Sequence, residues 1–228
     1  MTLPTHKQLM LDEIAASKAL SSEHIASELA QALKLREAGF STQAFLHLWI
    51  VTEVAVKELM CIYKYTKDTH EALKKLQPEL KRSLQPHLNA PSKKVANEQA
   101  MTLTAKALPS LVSSFHSVFK SAAQTNCRHL DMAVIKSVFA VLKQAIDEIR
   151  LDYLLATKFK AIPEGVDLKD KTTVRNWRNK LVHTNGHVDD KTLAQLLPIF
   201  DYFFSLLQQL STLSVASQQP DLNEEVAQ

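Results

Sequence analysis

Between Ser41 and Tyr65 the chain carries an almost continuous apolar surface: Phe45, Leu46, Leu48, Trp49, Ile50, Val51, Val54, Val56, Leu59, Met60 and Ile62. A run of that length without proline, glycine or strict alternation is a helix, over 42–65, that is apolar around much of its circumference. Such a helix must lie in a core or against another copy of the chain. Ser41 stands where its N-cap belongs. Only Gly39, Gly165 and Gly186 occur as glycines in 228 residues, and alternating β-branched runs are few. Both facts argue against sheets, so the fold class is all-α. Neither Gly-x-x-x-x-Gly-Lys nor Gly-x-Gly-x-x-Gly is present, which excludes nucleotide binding through those loops.

The remaining segments fit around this helix. Residues 5–19 form a first, loosely packed helix. Ser21-Ser22-Glu23 offers a cap and an acidic first turn for a helix through Ile25, Leu29, Leu33 and Leu35 that stops at Gly39. Pro78, Pro86 and Pro91 break 64–106 into short pieces with a loop at 86–95. Pro109 separates helices at 98–107 and 110–124. Asp131 caps a helix over 132–158, and 161–169 is a linker. A short helix occupies 171–184, and Asp189-Asp190 caps a final one over 191–213. From 214 to 228 the sequence is polar and aperiodic, a disordered acidic tail. A chain of this length makes one domain with a sizeable core, here 1–213.

Charge and cysteine usage restrict the partners. The net charge is +3, which permits a nucleic-acid partner without demanding one. Lys64, Lys67, Lys74, Lys75, Lys81, Arg82, Lys93 and Lys94 outnumber Asp68, Glu71, Glu79 and Glu98 in the section 64–106. That excess is either a solvated face or an approach surface for a phosphate backbone. Tyr63 and Tyr65 are the only aromatic residues near it, so base stacking has little support there. Cys61 and Cys127 lack metal or redox spacing, and the histidines are scattered, so no metal or cofactor is expected. Without a leader segment or an apolar run of about 18 residues, the expectation is a cytoplasmic protein with no membrane partner.

The stretch with chemical content is Arg175-Asn176-Trp177-Arg178-Asn179-Lys180-Leu181-Val182-His183-Thr184-Asn185-Gly186. As a helix it puts Val174, Trp177, Leu181 and Val182 on one apolar stripe, with Asn176, Asn179 and His183 opposite. Asn185-Gly186 supplies a left-handed stop. His183 then sits in the last turn, where the helix dipole favours its imidazolium form and suits it to proton transfer. At about 100° per residue, Arg178 and His183 lie about 140° apart around the axis. Either the last turn distorts to bring them together, or a second copy supplies one of them across a two-fold axis. The plainer reading is a salt-bridged arginine and a C-capping histidine.

Arg178-Asn179-x-x-x-His183, followed by a short loop and a final long helix, resembles the HEPN superfamily. The resemblance implies an all-helical bundle with long helices and short broken ones between, forming a two-fold dimer. It further implies a metal-independent endoribonuclease, a toxin or antiviral-defence effector cutting tRNA or mRNA, with an antitoxin or other defence-system partner. His183 would act on the 2′-hydroxyl or the leaving oxygen, Arg178 would steady phosphoryl charge, and Asn179 would orient the histidine or a phosphate oxygen. Products would carry a 2′,3′-cyclic phosphate and a 5′-hydroxyl. Glu53 and Lys57, polar interruptions at i, i+4 in the apolar helix, would support the site, together with Asn176 and Asn185. On their own those two make a helix-surface ion pair. The alternative function is a non-catalytic helical interaction or regulatory protein that keeps the packing.

Overall fold

Every element among the described residues is helical, with no strand. The computed structural model describes residues 3–88, 90–126, 137, 174–184 and 186–216, without the side chains of Arg175, Asn176 and Tyr202. Apart from Ser137, the expected helix at 132–158 lies outside them, as do the linker at 161–169 and the chain beyond 216. The α-helices are α1 (His6–Ala16), α2 (Ser22–Glu37), α3 (Ser41–Leu84), α4 (Lys93–Asn126), α5 (Val174–Thr184) and α6 (Asp190–Ala216). Single 3-10 turns cover Lys18–Leu20 and Gln85–His87.

Local signals set several ends as expected. The Ser21 hydroxyl accepts the His24 N–H at 3.2 Å, and Glu23 lies in the first turn of α2. Gly39 sits at φ 83°, and the Phe40 N–H reaches back to the Leu35 carbonyl at 2.9 Å, which ends the helix. The prolines depart from expectation. Pro78 lies inside α3 and Pro109 inside α4, so each expected pair of short helices is one long helix. Burial along each helix holds the axis: Tyr65 and Leu73 are buried before Pro78, and Ala100, Leu108 and Ala123 flank Pro109. The helix α6 likewise continues past 213 to Ala216, with Ser214 fully buried, so residues 214–216 are helical where a disordered tail was expected. Nor is the first helix loose, since Leu9, Met10, Leu11 and Ile14 are all buried.

The chain divides into two compact units, Met1–Met10 with Cys61–Arg128, and Leu11–Met60 with His129–Gln228. In the first, the end of α3 and the start of α4 meet across a short connection. Gln85 Nε2 donates to Asn97 Oδ1 at 2.5 Å. The buried Tyr65 meets His116 edge-on, with ring centroids 5.6 Å apart. The N-terminal segment is fastened by two histidines: His6 Nε2 lies 3.0 Å from Thr66 Oγ1, and His70 Nδ1 donates to the Pro4 carbonyl at 3.0 Å.

The second unit has an aromatic centre. Phe45 meets Phe200 edge-on at 5.9 Å, Phe200 stacks on Phe204, and all three are buried to 2% exposure or less. Here α2 packs on α6, and Ile25 and Ala32 are its buried residues. The face of α3 expected to be apolar throughout is not covered throughout. Ile50 is 57% and Val54 47% exposed.

Pro78 lacks the N–H that would close a helical bond and is exposed, so replacing it should relieve α3 rather than disturb a core. Pro78→Ala is expected to raise stability by about 2 kcal/mol, the restored bond outweighing the freer unfolded chain. Urea denaturation of both proteins measures the difference.

Candidate active site

The helix α5 is positioned at both ends. Val174 at its start is fully buried. At its end the Gly186 N–H donates back to the Lys180 carbonyl at 3.3 Å, closing the turn that ends the helix. Gly186 is not left-handed as expected; Gly39 alone has positive φ among the described glycines. What demands glycine is proximity, since a Cβ there would stand 3.2 Å from the Lys180 carbonyl oxygen. Asn185 lies outside the described residues.

Three anchors hold the loop that follows. Thr42 at the start of α3 accepts the Val188 N–H at 3.0 Å, and its oxygen stands 3.2 Å from the Val188 carbonyl and 3.0 Å from His187 Nδ1. Val188 is fully buried. Arg36 grips Asp190 with two bonds of 2.6 and 3.2 Å, and this pairing holds the Asp190 carboxyl below its usual range. Asp189 caps α6 through the Thr192 N–H at 2.8 Å, as its position suggested. Bonds to the Thr192 hydroxyl and backbone N–H hold the Asp189 carboxyl low as well.

On α5 the expected residues fall as follows. Arg178 and Asn179 are half-buried, and the Arg178 guanidinium donates to Asn179 Oδ1 at 3.2 Å. Asn179 therefore steadies the arginine. His183 is exposed one turn further on. The backbone stays α-helical through Thr184, whose hydroxyl donates to the Lys180 carbonyl at 2.6 Å. The last turn is thus not distorted, and Arg178 and His183 keep their angular separation of about 140°. The apolar stripe is narrower than expected: Trp177 and Leu181 are half-covered, and Val182 is 56% exposed. The Lys180 ammonium lies 4.5 Å from the centre of the Trp177 ring, a cation–π contact. Asn176 belongs to α5, but its side chain lies outside the description.

Glu53 and Lys57 form the expected pair, Nζ to Oε1 at 2.8 Å. Sequence reasoning missed the third member: the Trp49 indole N–H donates to Glu53 Oε2 at 3.0 Å. Trp49 and Glu53 are also at i, i+4, so the spacing carried that signal. Burial pushes the Glu53 carboxyl up. The Lys57 bond and charge, the Trp49 bond and the Arg178 charge together outweigh it and bring the carboxyl below its usual range. Arg178 therefore acts on Glu53 through its charge, with no ion pair between them among the described contacts. By contrast Arg36–Asp190, separated by 154 residues, had no local signal.

No His, Cys, Asp or Glu group among the described residues is placed to ligate a metal ion. None of the described helices is long and apolar enough to cross a membrane. No protein-family model, curated protein or solved structure matches this chain.

Two measurements test this local account. Thr42→Val leaves the Val188 N–H without its partner and should cost about 1–3 kcal/mol in urea denaturation. Because the folded Glu53 carboxyl is lowered, its stabilisation is present above about pH 4.5 and fades as pH falls through the lower folded value. Glu53→Gln should flatten the acid limb of the stability–pH curve in that window.

Proposed function

We propose that this chain is a metal-independent endoribonuclease of the HEPN type, acting as a dimer of identical chains. The observation that carries the reading is the arrangement on α5. A guanidinium bonded to the neighbouring Asn179 and an exposed imidazole project from one short helix. Both groups suit phosphoryl chemistry. His183 takes the proton from a 2′-hydroxyl, whose oxygen attacks the adjacent phosphorus. Arg178 holds the non-bridging oxygens as charge builds on them. The P–O5′ bond breaks, and a second imidazolium returns a proton to the leaving oxygen, giving a 2′,3′-cyclic phosphate and a 5′-hydroxyl.

The angular separation of Arg178 and His183 bears on assembly. With the last turn regular, one chain does not aim both groups at one phosphorus, whereas a second copy facing α5 supplies the complementary group. The exposed apolar residues Ile50 and Val54 on α3 and Val182 on α5 are of the kind a second copy covers. Glu53, lowered by Lys57 and Arg178, supports the site electrostatically. A cytoplasmic toxin or defence effector cutting tRNA or mRNA, under the control of an antitoxin-like partner, is the role this activity would serve.

The second reading is a non-catalytic helical interaction protein. The Arg36–Asp190 and Thr42–Val188 anchors favour a fixed shape and are equally at home there. The test uses total RNA with EDTA present and maps the product ends. The parent protein should yield cyclic-phosphate ends. His183→Ala and Arg178→Ala should abolish them while shifting stability by no more than about 1–2 kcal/mol. An intact RNA pool with the parent protein, at every pH tried, favours the interaction protein.

A further inference from the structure

Charge is divided very unevenly between the two units. Residues 1–10 and 61–128 hold twelve Lys and Arg against four Asp and Glu, a net +8. Residues 11–60 and 129–228 hold fifteen against twenty, a net −5. The mild overall charge of +3 conceals this division.

Within the basic unit the cations concentrate at one end of the α3–α4 hairpin. Lys81 and Arg82 occupy the last turn of α3, and Lys93 and Lys94 open α4. No acidic residue occurs between Glu79 and Glu98. The Gln85–Asn97 bond draws the two helix ends together, so these four cations share one end of the hairpin. Arg82, Lys93 and Lys94 are exposed, and Lys81 is half-buried beside Glu98 in a groove of about 690 Å³. None of the four is ion-paired with a described residue; the four ion pairs found, Glu28 with His24 and His47, Arg36–Asp190 and Lys57–Glu53, all belong to the acidic unit.

Fold stability accounts for half of this cluster. Cations at the C-terminus of α3 complement its dipole, whereas Lys93 and Lys94 stand at the positive end of α4, with no acid in its first turn to offset them. Two cations placed against the dipole and unpaired among the described residues are of the kind a polyanion outside the chain would neutralise. Aromatic platforms for bases are missing from this end: Tyr65 is buried, and Tyr63 is engaged with His6 and overlain by Lys67. The recognition available is of backbone charge.

We propose that the turn end of the α3–α4 hairpin, through Lys81, Arg82, Lys93 and Lys94, binds the phosphate backbone of RNA without regard to base sequence. The inference rests on the ribonuclease reading for its choice of RNA, but its residues are separate from Arg178 and His183.

The test is binding of the full chain to a labelled mixed-sequence 2′-O-methyl oligoribonucleotide, which 2′-hydroxyl attack cannot cut, across about 50–200 mM salt. The parent protein should bind with a salt-dependent affinity that is the same for different sequences. In Lys93→Glu/Lys94→Glu, the slope of log affinity against log salt should fall by about 1.4, at about 0.7 per lost contact to a single strand. The same variant should melt at a higher temperature, because acids now meet the dipole. Lys81→Gln/Arg82→Gln should lower the slope similarly. Unchanged slopes in both variants overturn the proposal, as does parent protein that ignores the oligonucleotide and binds vesicles of anionic lipid instead. Cleavage that proves independent of His183 would remove the ribonuclease reading and leave this surface standing, whereas His183-dependent cleavage with unchanged slopes would do the reverse.

Discussion

The hydroxyl of Thr42 closes on the backbone of Val188, and much of the second unit's order around α5 follows from that contact. A loop between two helices leaves polar backbone groups that water ordinarily satisfies. Here the fully buried Val188 carries its N–H inside, so a protein partner is needed. Thr42 meets the need from the first turn of α3, and Arg36 adds a two-pronged hold on Asp190 two residues further on. The end of α5 is thereby tied to the start of α3 and the end of α2. The Gly186–Lys180 closure continues that constraint back into the helix carrying Arg178 and His183.

A helix held this firmly has a geometric consequence. Side chains five residues apart on a regular α-helix diverge by about 140°. With the last turn regular, Arg178 and His183 do not converge within one chain. What stays open is convergence between copies, which needs an uncovered surface and a guanidinium that does not wander. Asn179 restrains the second, and Ile50, Val54 and Val182 offer the first. Chemistry at α5 would then depend on assembly, and a chain kept monomeric would hold the right groups in an unproductive arrangement.

The parts of this structure legible in the sequence are those governed by short-range rules. Ser21 as a cap, Gly39 as a left-handed stop, Asp189 as the cap of α6 and the Glu53–Lys57 pair each depend on neighbours within four residues. The prolines misled because their local cost, about 3 kcal/mol in a helix interior, is smaller than the burial elsewhere along the same helices. Sequence shows Pro78 and Pro109 but not that Leu73, Leu108 and Ala123 would be covered. For the same reason Ile50 and Val54 read as core: apolar character is visible in the sequence, but which side of a long helix remains uncovered is decided by partners distant along the chain. The site was legible as a motif and not as a geometry, since Trp49 on Glu53 and Arg36 on Asp190 complete surroundings that the motif does not mention.

Charge shows the opposite relation between sequence and structure. Along the sequence, the lysines from 64 to 94 are indistinguishable from an ordinary solvated face. The division into units changes their meaning by setting a +8 body within a chain of net +3. Self-repulsion in a body of that charge weighs against the compact state, and an external counter-charge would relieve it. The ion pairs found among the described residues, Glu28 with His24 and His47, Asp190 with Arg36, and Glu53 with Lys57, all lie within the acidic unit. A polyanion fits both sides of this account. On the proposed reading it would neutralise the hairpin end and bring a phosphodiester to a chain whose α5 carries a guanidinium and an imidazole, the groups that phosphodiester cleavage uses.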